Sequence, residues 1–304
     1  MAREKNPEAR FRGRWRCCLT TMALASLAVA GAKAEDGTPV GGAPGPLLEI
    51  RPNEGTSLHL HMAPYEGQHA QVMIPEAMYV VHRQANTPQT AQFDQAREDA
   101  TPFHQENGWW VDAENNGKAA FTVRARVGGE RGERMEIEYT AMNKEPVFWR
   151  AAWFRTCVQP PEAFQDPELK RTYVVDTHGQ LRCLADLTHH PINFISVRKT
   201  GRSTAMLLPP SLWGTDWRYP DLRLAETVIM VESKDGRHTL STAFGRAYGL
   251  ETGSRGPCIH SDGMTGEIAA GQGATVRGYV ALTPGDAQAA LDHYFRALPA
   301  MRAP

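Results

Sequence analysis

The segment Gly256-Pro257-Cys258-Ile259-His260-Ser261-Asp262-Gly263 sets an imidazole and a carboxylate two positions apart in a turn-rich stretch. In an extended chain residues i and i+2 share a face, which lays His260 and Asp262 side by side. Such a pair can act as a general base with its orienting group, or offer two ligands to a cation. The competing role is structural: a loop whose Ser261 and Asp262 side chains bond their own backbone.

Two further groups carry charge or rings. Pro160-Pro161-Glu162-Ala163-Phe164-Gln165-Asp166-Pro167 describes a fixed turn leading to Arg171-Thr172-Tyr173. Arg171 can clamp a carboxylate or sulfate with two parallel bonds, or close a salt bridge to Asp166 that only holds the loop. Arg155 is the alternative clamp for an anionic group. Trp213-Gly214-Thr215-Asp216-Trp217-Arg218-Tyr219 gathers aromatic residues among polar ones. Trp213 and Trp217 suit stacking on a sugar ring, and equally the anchoring of a loop. Trp109, Trp110, Trp149 and Trp153 are assigned to packing.

His59 and His61 share one face of a short alternating run, which is a metal-ligand geometry. No third histidine or acid stands at a fixed spacing to complete a triad, so no metal is expected there. His189 and His190 are adjacent, so in an extended segment only one of them reaches a given site. A glycine-rich phosphate loop, a Gly-x-Ser-x-Gly elbow and a His-Glu-x-x-His motif are all missing from the sequence. No cofactor is expected.

The elements that must position these groups read as strands. Leu58–Met62, Ala119–Val127 and Arg134–Met142 alternate apolar with polar residues, and Gly128–Gly132 between the last two reads as a hairpin loop. Further strands are expected at Val147–Val158, Arg171–Asp176, Phe194–Val197, Thr204–Leu208, Glu226–Ser233, Thr239–Ala243 and Thr275–Leu282. Lys234-Asp235-Gly236-Arg237 is an Asp-Gly hairpin turn. At the end, Thr283-Pro284-Gly285-Asp286 resembles a helix start, with Thr283 as cap. Ala287, Leu291, Tyr294, Phe295 and Leu298 then recur at helical spacing. The fold class is all-β: an antiparallel β-sandwich with one C-terminal helix.

The ends and the composition set the setting. Arg3, Lys5, Arg10, Arg12, Arg14 and Arg16 precede an apolar run from Leu19 to Gly31 and a small-residue site at Ala32-Lys33-Ala34. This is the pattern of a cleavable signal peptide over residues 1–34, and it places the mature protein in the periplasm or outside the cell. Residues 35–46 read as a flexible linker and 47–304 as one sandwich domain. The chain has 33 Lys+Arg against 34 Asp+Glu, and removal of the basic leader leaves the mature part acidic. Such a chain lacks the basic footprint of a nucleic-acid binder or of a membrane-surface helix, so neither partner is expected. Cys157, Cys183 and Cys258 follow the leader; an oxidising compartment permits one disulfide, and the sequence leaves the pairing open.

The run from Asn143 to Tyr173, followed by Gly179, and then Pro257-Cys258-Ile259-His260-Ser261-Asp262 leading to Gly271 and Arg277-Gly278, resembles a group of secreted bacterial proteins of unassigned role. More distantly, residues 120–300 are similar to the galactose-mutarotase-like supersandwich, whose members include sugar epimerases, polysaccharide lyases and non-catalytic domains. The resemblance implies that an Asn-bearing strand and the strand after it line a sugar site, with His260 and Arg171 near one concave face. It implies a carbohydrate or polysaccharide partner. As an enzyme the protein would use His260 for proton transfer and Asp262 to orient it, with Arg171 or Arg155, His189, His190, Trp213 and Trp217 around the substrate. Its rival is a non-catalytic envelope or sugar-binding module.

Overall fold

Period-two alternation converts directly into faces along β6 (Ala119–Gly128) and β7 (Arg134–Asn143), which pair antiparallel through the expected hairpin. Ala119, Phe121, Val123 and Ala125 are buried beside Met135, Ile137, Tyr139 and Ala141, while the residues between them lie nearer solvent. The structure is a computed structural model describing residues 45–53, 56–82, 101–105, 108–115, 118–187, 195–199, 223–252 and 258–303. The expected strand Thr204–Leu208 lies outside them.

Two sheets form. One has eight strands in the order β1 (Leu48–Pro52), β2 (Ser57–Met62), β3 (His69–His82), β8 (Trp149–Gln159), β16 (Ile259–Met264), β15 (Ala247–Thr252), β11 (Ile195–Lys199) and β12 (Arg223–Leu224). The other has nine: β10 (Leu181–Cys183), β9 (Thr172–Val175), β13 (Val228–Glu232), β14 (His238–Phe244), β17 (Gly273–Pro284), then β7, β6, β5 (Gly108–Asn115) and β4 (Thr101–Gln105). Pairing is antiparallel except between β11 and β12. The Asp-Gly turn joins β13 to β14, with Gly236 at φ 69°, a left-handed conformation that glycine adopts freely.

The sheets face each other across an apolar core. Tyr139 of β7 stacks on Phe154 of β8 with ring centroids 4.5 Å apart and on Phe244 of β14 at 5.5 Å. The Tyr139 hydroxyl is satisfied by Thr156 at 2.8 Å. Gly263 and Gly278 let Phe244 lie flush on two backbones, since a Cβ would come within 2.7 Å and 2.4 Å of its ring.

A second apolar cluster covers the outer face of the nine-stranded sheet. The short helix α1 (Leu184–Leu187) follows β10, and the C-terminal helix α2 (Ala287–Arg302) lays Ala290, Leu291, Tyr294, Ala297 and Met301 on Val228, Met230, Ala243, Tyr279 and Ala281. The helix start corrects the expectation. Asp286, not Thr283, is the cap and accepts from the Ala289 N–H at 3.0 Å. Thr283 and Pro284 instead extend β17, paired with Thr239 and His238. Phe295, expected on the buried face, is 46% exposed.

Candidate functional site

The eight-stranded sheet carries its polar groups on the face turned away from the core. Phe154, Val158 and Ile259 belong to the core between the sheets. By alternation Trp153, Arg155 and Cys157 of β8, and His260 and Asp262 of β16, project to the opposite side. Register brings them together: His260 stands between Glu251 of β15 and Cys157 of β8. Glu76 arrives by an irregularity in β3. Between the pairs Met73↔Cys157 and Ala77↔Arg155, β3 advances four residues while β8 advances two. A bulge of this kind re-aims a side chain that regular alternation would misplace.

The result is a buried ionic cluster. Arg155 Nη2 donates to Glu251 Oε2 at 2.8 Å, and its Nε lies 3.3 Å from Glu76 Oε2. His260 is 1% exposed; its Nε2 is 3.1 Å from Cys258 Sγ and its Nδ1 4.0 Å from Glu76 Oε2. Glu251 and Asp262 are fully buried. Among the described residues, neither Asp262 oxygen has a hydrogen-bond partner, nor does Glu251 Oε1. On the same face Trp153 stacks between Tyr79 and Tyr248, with centroid separations of 4.5 Å and 4.4 Å.

Electrostatics push these groups apart. Burial raises the Asp262 carboxyl well above its ordinary value, and the charge of Glu251 adds to the rise. Burial by itself lowers His260, but the hydrogen bond to Cys258 and the charge on that sulfur outweigh it, so the net shift is upward. A hydrogen bond from Cys157 brings Cys258 down to about 4, against burial and with help from His260. Cys157 moves up, because it is the donor in that contact and is itself buried. The directions favour the protonated forms of His260, Asp262 and Cys157 and the deprotonated form of Cys258. Proton-transfer sites are built from such separated pairs.

The structure therefore brings Arg155, His260 and Asp262 together. The ring of His260 is held by Cys258 and faces Glu76, with no hydrogen bond to Asp262. Arg171 stands elsewhere, at the start of β9 in the other sheet. It donates to the carbonyls of Glu232 and Gln165, while Asp166 accepts the N–H groups of Lys170 and Arg171 and the Thr172 hydroxyl. Those bonds hold a loop, and the Arg171–Asp166 ion pair at 4.0 Å is part of the clamp. Asn143 is likewise spent on structure: its amide donates to the carbonyls of Val147 and Ile268 and accepts from the Glu145 N–H. His189, His190, Trp213 and Trp217 lie outside the described residues.

Among the described residues, Cys157, Cys183 and Cys258 are thiols rather than disulfides. Cys157 and Cys258 are neighbours; with His260 they form a group whose ligand atoms all lie within 4.8 Å of one another. Cys183 is occupied elsewhere, its thiol donating to the Leu169 and Lys170 carbonyls at 3.3 Å.

Sequence reasoning missed Glu76 and Glu251. The available signal was a single carboxylate inside an otherwise apolar strand, Val72-Met73-Ile74-Pro75-Glu76-Ala77-Met78 and Ala247-Tyr248-Gly249-Leu250-Glu251. Unpaired acids are rarely buried, so an acid in such a run marks a partner waiting in the fold.

No family model matches the chain, and no curated protein matches it in sequence. Among solved structures it is similar to the α-N-acetylgalactosaminidase NagBb from Bifidobacterium bifidum, determined as a GalNAc complex, at 13% identity and a TM-score of 0.49. It is also similar to a candidate aldose 1-epimerase from Klebsiella pneumoniae, at 8% identity and a TM-score of 0.31. These likenesses cover 85% and 67% of this chain, which spans 38% and 58% of the respective partners.

Proposed function

We propose that the mature chain is an exported sandwich protein that binds a sugar or acidic polysaccharide on the outer face of its eight-stranded sheet and acts on it by proton transfer. One observation carries this reading: a cluster of ionisable groups on a face the core does not need, with Glu251, His260 and Asp262 buried and Glu76 and Arg155 partly so. A fold gains little from burying such groups; replacing them with apolar residues is often neutral or stabilising. Chemistry done there accounts for their burial. His260 is the proton-transfer group, and Arg155 faces the negative charge that develops on an enolate-like or carboxylate-bearing sugar. A lyase or an epimerase needs both.

The test is a screen of the purified mature chain against uronic-acid polymers and a glycan array. His260→Gln, which keeps hydrogen-bonding capacity, should lower turnover by about 100-fold or more while leaving binding largely intact. Equal turnover in the variant and the parent removes His260 from the account. A parent that neither binds nor degrades any glycan sinks the carbohydrate reading.

A second reading draws on a different feature. Arg155 is already held by two carboxylates, and Trp153 and Tyr248 lie buried on the same face behind the partly exposed ring of Tyr79. A non-catalytic sugar-binding module would use the rings alone. It gives binding without turnover, and no effect of His260→Gln on either.

A further inference from the structure

Three histidines meet on the same outer face, two on β2 and one at the start of β3, near the edge formed by β1. Leu58, Leu60 and Met62 of β2 and Ala70 and Val72 of β3 enter the core. Alternation therefore turns His59, His61 and His69 outward. Register puts His61 directly opposite His69 across the β2–β3 pair, with His59 one step along the same face. The ring centroids lie 4.0 Å apart for His59 and His69, 5.2 Å for His61 and His69, and 6.4 Å for His59 and His61. One nitrogen from each ring lies within 4.8 Å of the others. His69 is the third ligand that spacing along β2 alone did not provide.

We infer that His59, His61 and His69 form a surface metal site for a divalent late first-row transition ion, with zinc as the reference occupant. Four lines of chemistry lead there. First, three imidazoles on one face form a ligand set that leaves further positions open to water, the arrangement of three-histidine zinc sites. Metal–nitrogen bonds of about 2.0–2.1 Å in tetrahedral geometry need the nitrogens to approach to roughly 3.3 Å, which modest side-chain rotation on half-exposed rings can supply. Second, all-nitrogen donors select zinc, copper(II), nickel and cobalt over magnesium or calcium. Third, the rings are available: among the described residues none of the three has a hydrogen-bond partner. Fourth, β1 brings charge to the rim. Glu49 is the register partner of His61, and Arg51 that of His59. Glu49 is held by Arg51 through bonds of 2.9 and 3.0 Å, and it can turn to a bound cation as a fourth or outer-sphere ligand.

Bound metal ties β2 to β3 and leaves a solvent-facing coordination position. The site shares no residue with the His260 cluster, so either can fail without the other.

The experiment uses the full mature chain, purified without a polyhistidine tag and stripped with EDTA. Zinc chloride is titrated calorimetrically, and cobalt(II) is followed by its visible d–d absorption. The expected result is one zinc per chain at this site and a cobalt spectrum of nitrogen–oxygen type without a thiolate charge-transfer band. His69→Ala and His61→Gln should each weaken zinc binding at least tenfold, and the metal-dependent rise in Tm should disappear with it. Cys258→Ser separates this site from the sulfur-containing group, and the zinc isotherm should survive it. A parent that binds no zinc overturns the inference. So does zinc binding that withstands His69→Ala in a folded variant, or that is abolished by Cys258→Ser. Circular dichroism of each variant establishes that it is folded.

Discussion

At the scale of single residues, Asp262 shows most clearly how the site departs from ordinary folding chemistry. It is fully buried, and among the described residues neither oxygen has a hydrogen-bond partner. Burial and Glu251 raise its pKa. The sign of the stability effect follows from linkage. A group with a raised folded-state pKa binds its proton more tightly when folded, so its contribution is present at low pH and is lost as pH rises from the ordinary carboxylate value towards the folded one. The parent should therefore lose stability across that window. Asp262→Asn cannot ionise and should not show this fall. Denaturant midpoints at a series of pH values test it; parallel curves for parent and variant would mean that folding does not shift the pKa of Asp262. Residues of this kind were half legible in the sequence. His260 and Asp262 stood out through their spacing, but Glu76 and Glu251 did not, because their relation to Arg155 exists only through strand register and one bulge. A bulge has no reliable signature in a single sequence.

At the scale of elements, β6 and β7 were readable from alternation, whereas β15 and β16 were not. β6 and β7 alternate because one face meets the core and the other nears solvent. β15 and β16 are buried along their whole length, so period-two contrast vanishes and Ile259–Met264 read as a loop. The C-terminal helix was legible in its apolar spacing and misread at its start. Thr283-Pro284 fits a helix N-terminus locally, but pairing of Thr283 with Thr239 and of Pro284 with His238 continues the strand. The cap then falls to the next residue with a carboxylate, Asp286. Asp286→Ala should cost about 1 kcal/mol, the usual worth of such a cap. Thr283→Ala should cost clearly less, because Thr283 Oγ1 has no hydrogen-bond partner among the described residues to lose. Urea unfolding of the two variants decides the assignment, and a larger loss for Thr283→Ala would reverse it.

At the scale of the whole molecule, the two outer faces divide the work. The nine-stranded sheet is closed by α2, whose apolar stripe completes a second core. The outer face of the eight-stranded sheet instead holds the ionic cluster, whose Glu251, His260 and Asp262 are buried, and three partly exposed histidines near its β1 edge. The order begins at its first strand. Leu47 and Leu48 donate to the carbonyls of Arg131 and Gly132 at 2.9 Å, pinning the start of β1 to the β6–β7 hairpin. A cut after Ala34 falls before every one of these bonds, so removing the basic, apolar leader is compatible with the fold. We therefore expect the chain, expressed with its leader in a bacterial host, to be recovered from the periplasm with Glu35 as its first residue. Its Tm should match that of a chain expressed directly from Glu35. Replacing Ala32 and Ala34 with bulky residues should block processing, because the peptidase site requires small side chains at those positions. Recovery of a folded, cytoplasmic chain that still begins at Met1 would remove export, and with it the supply of extracellular polysaccharide on which the proposed chemistry depends.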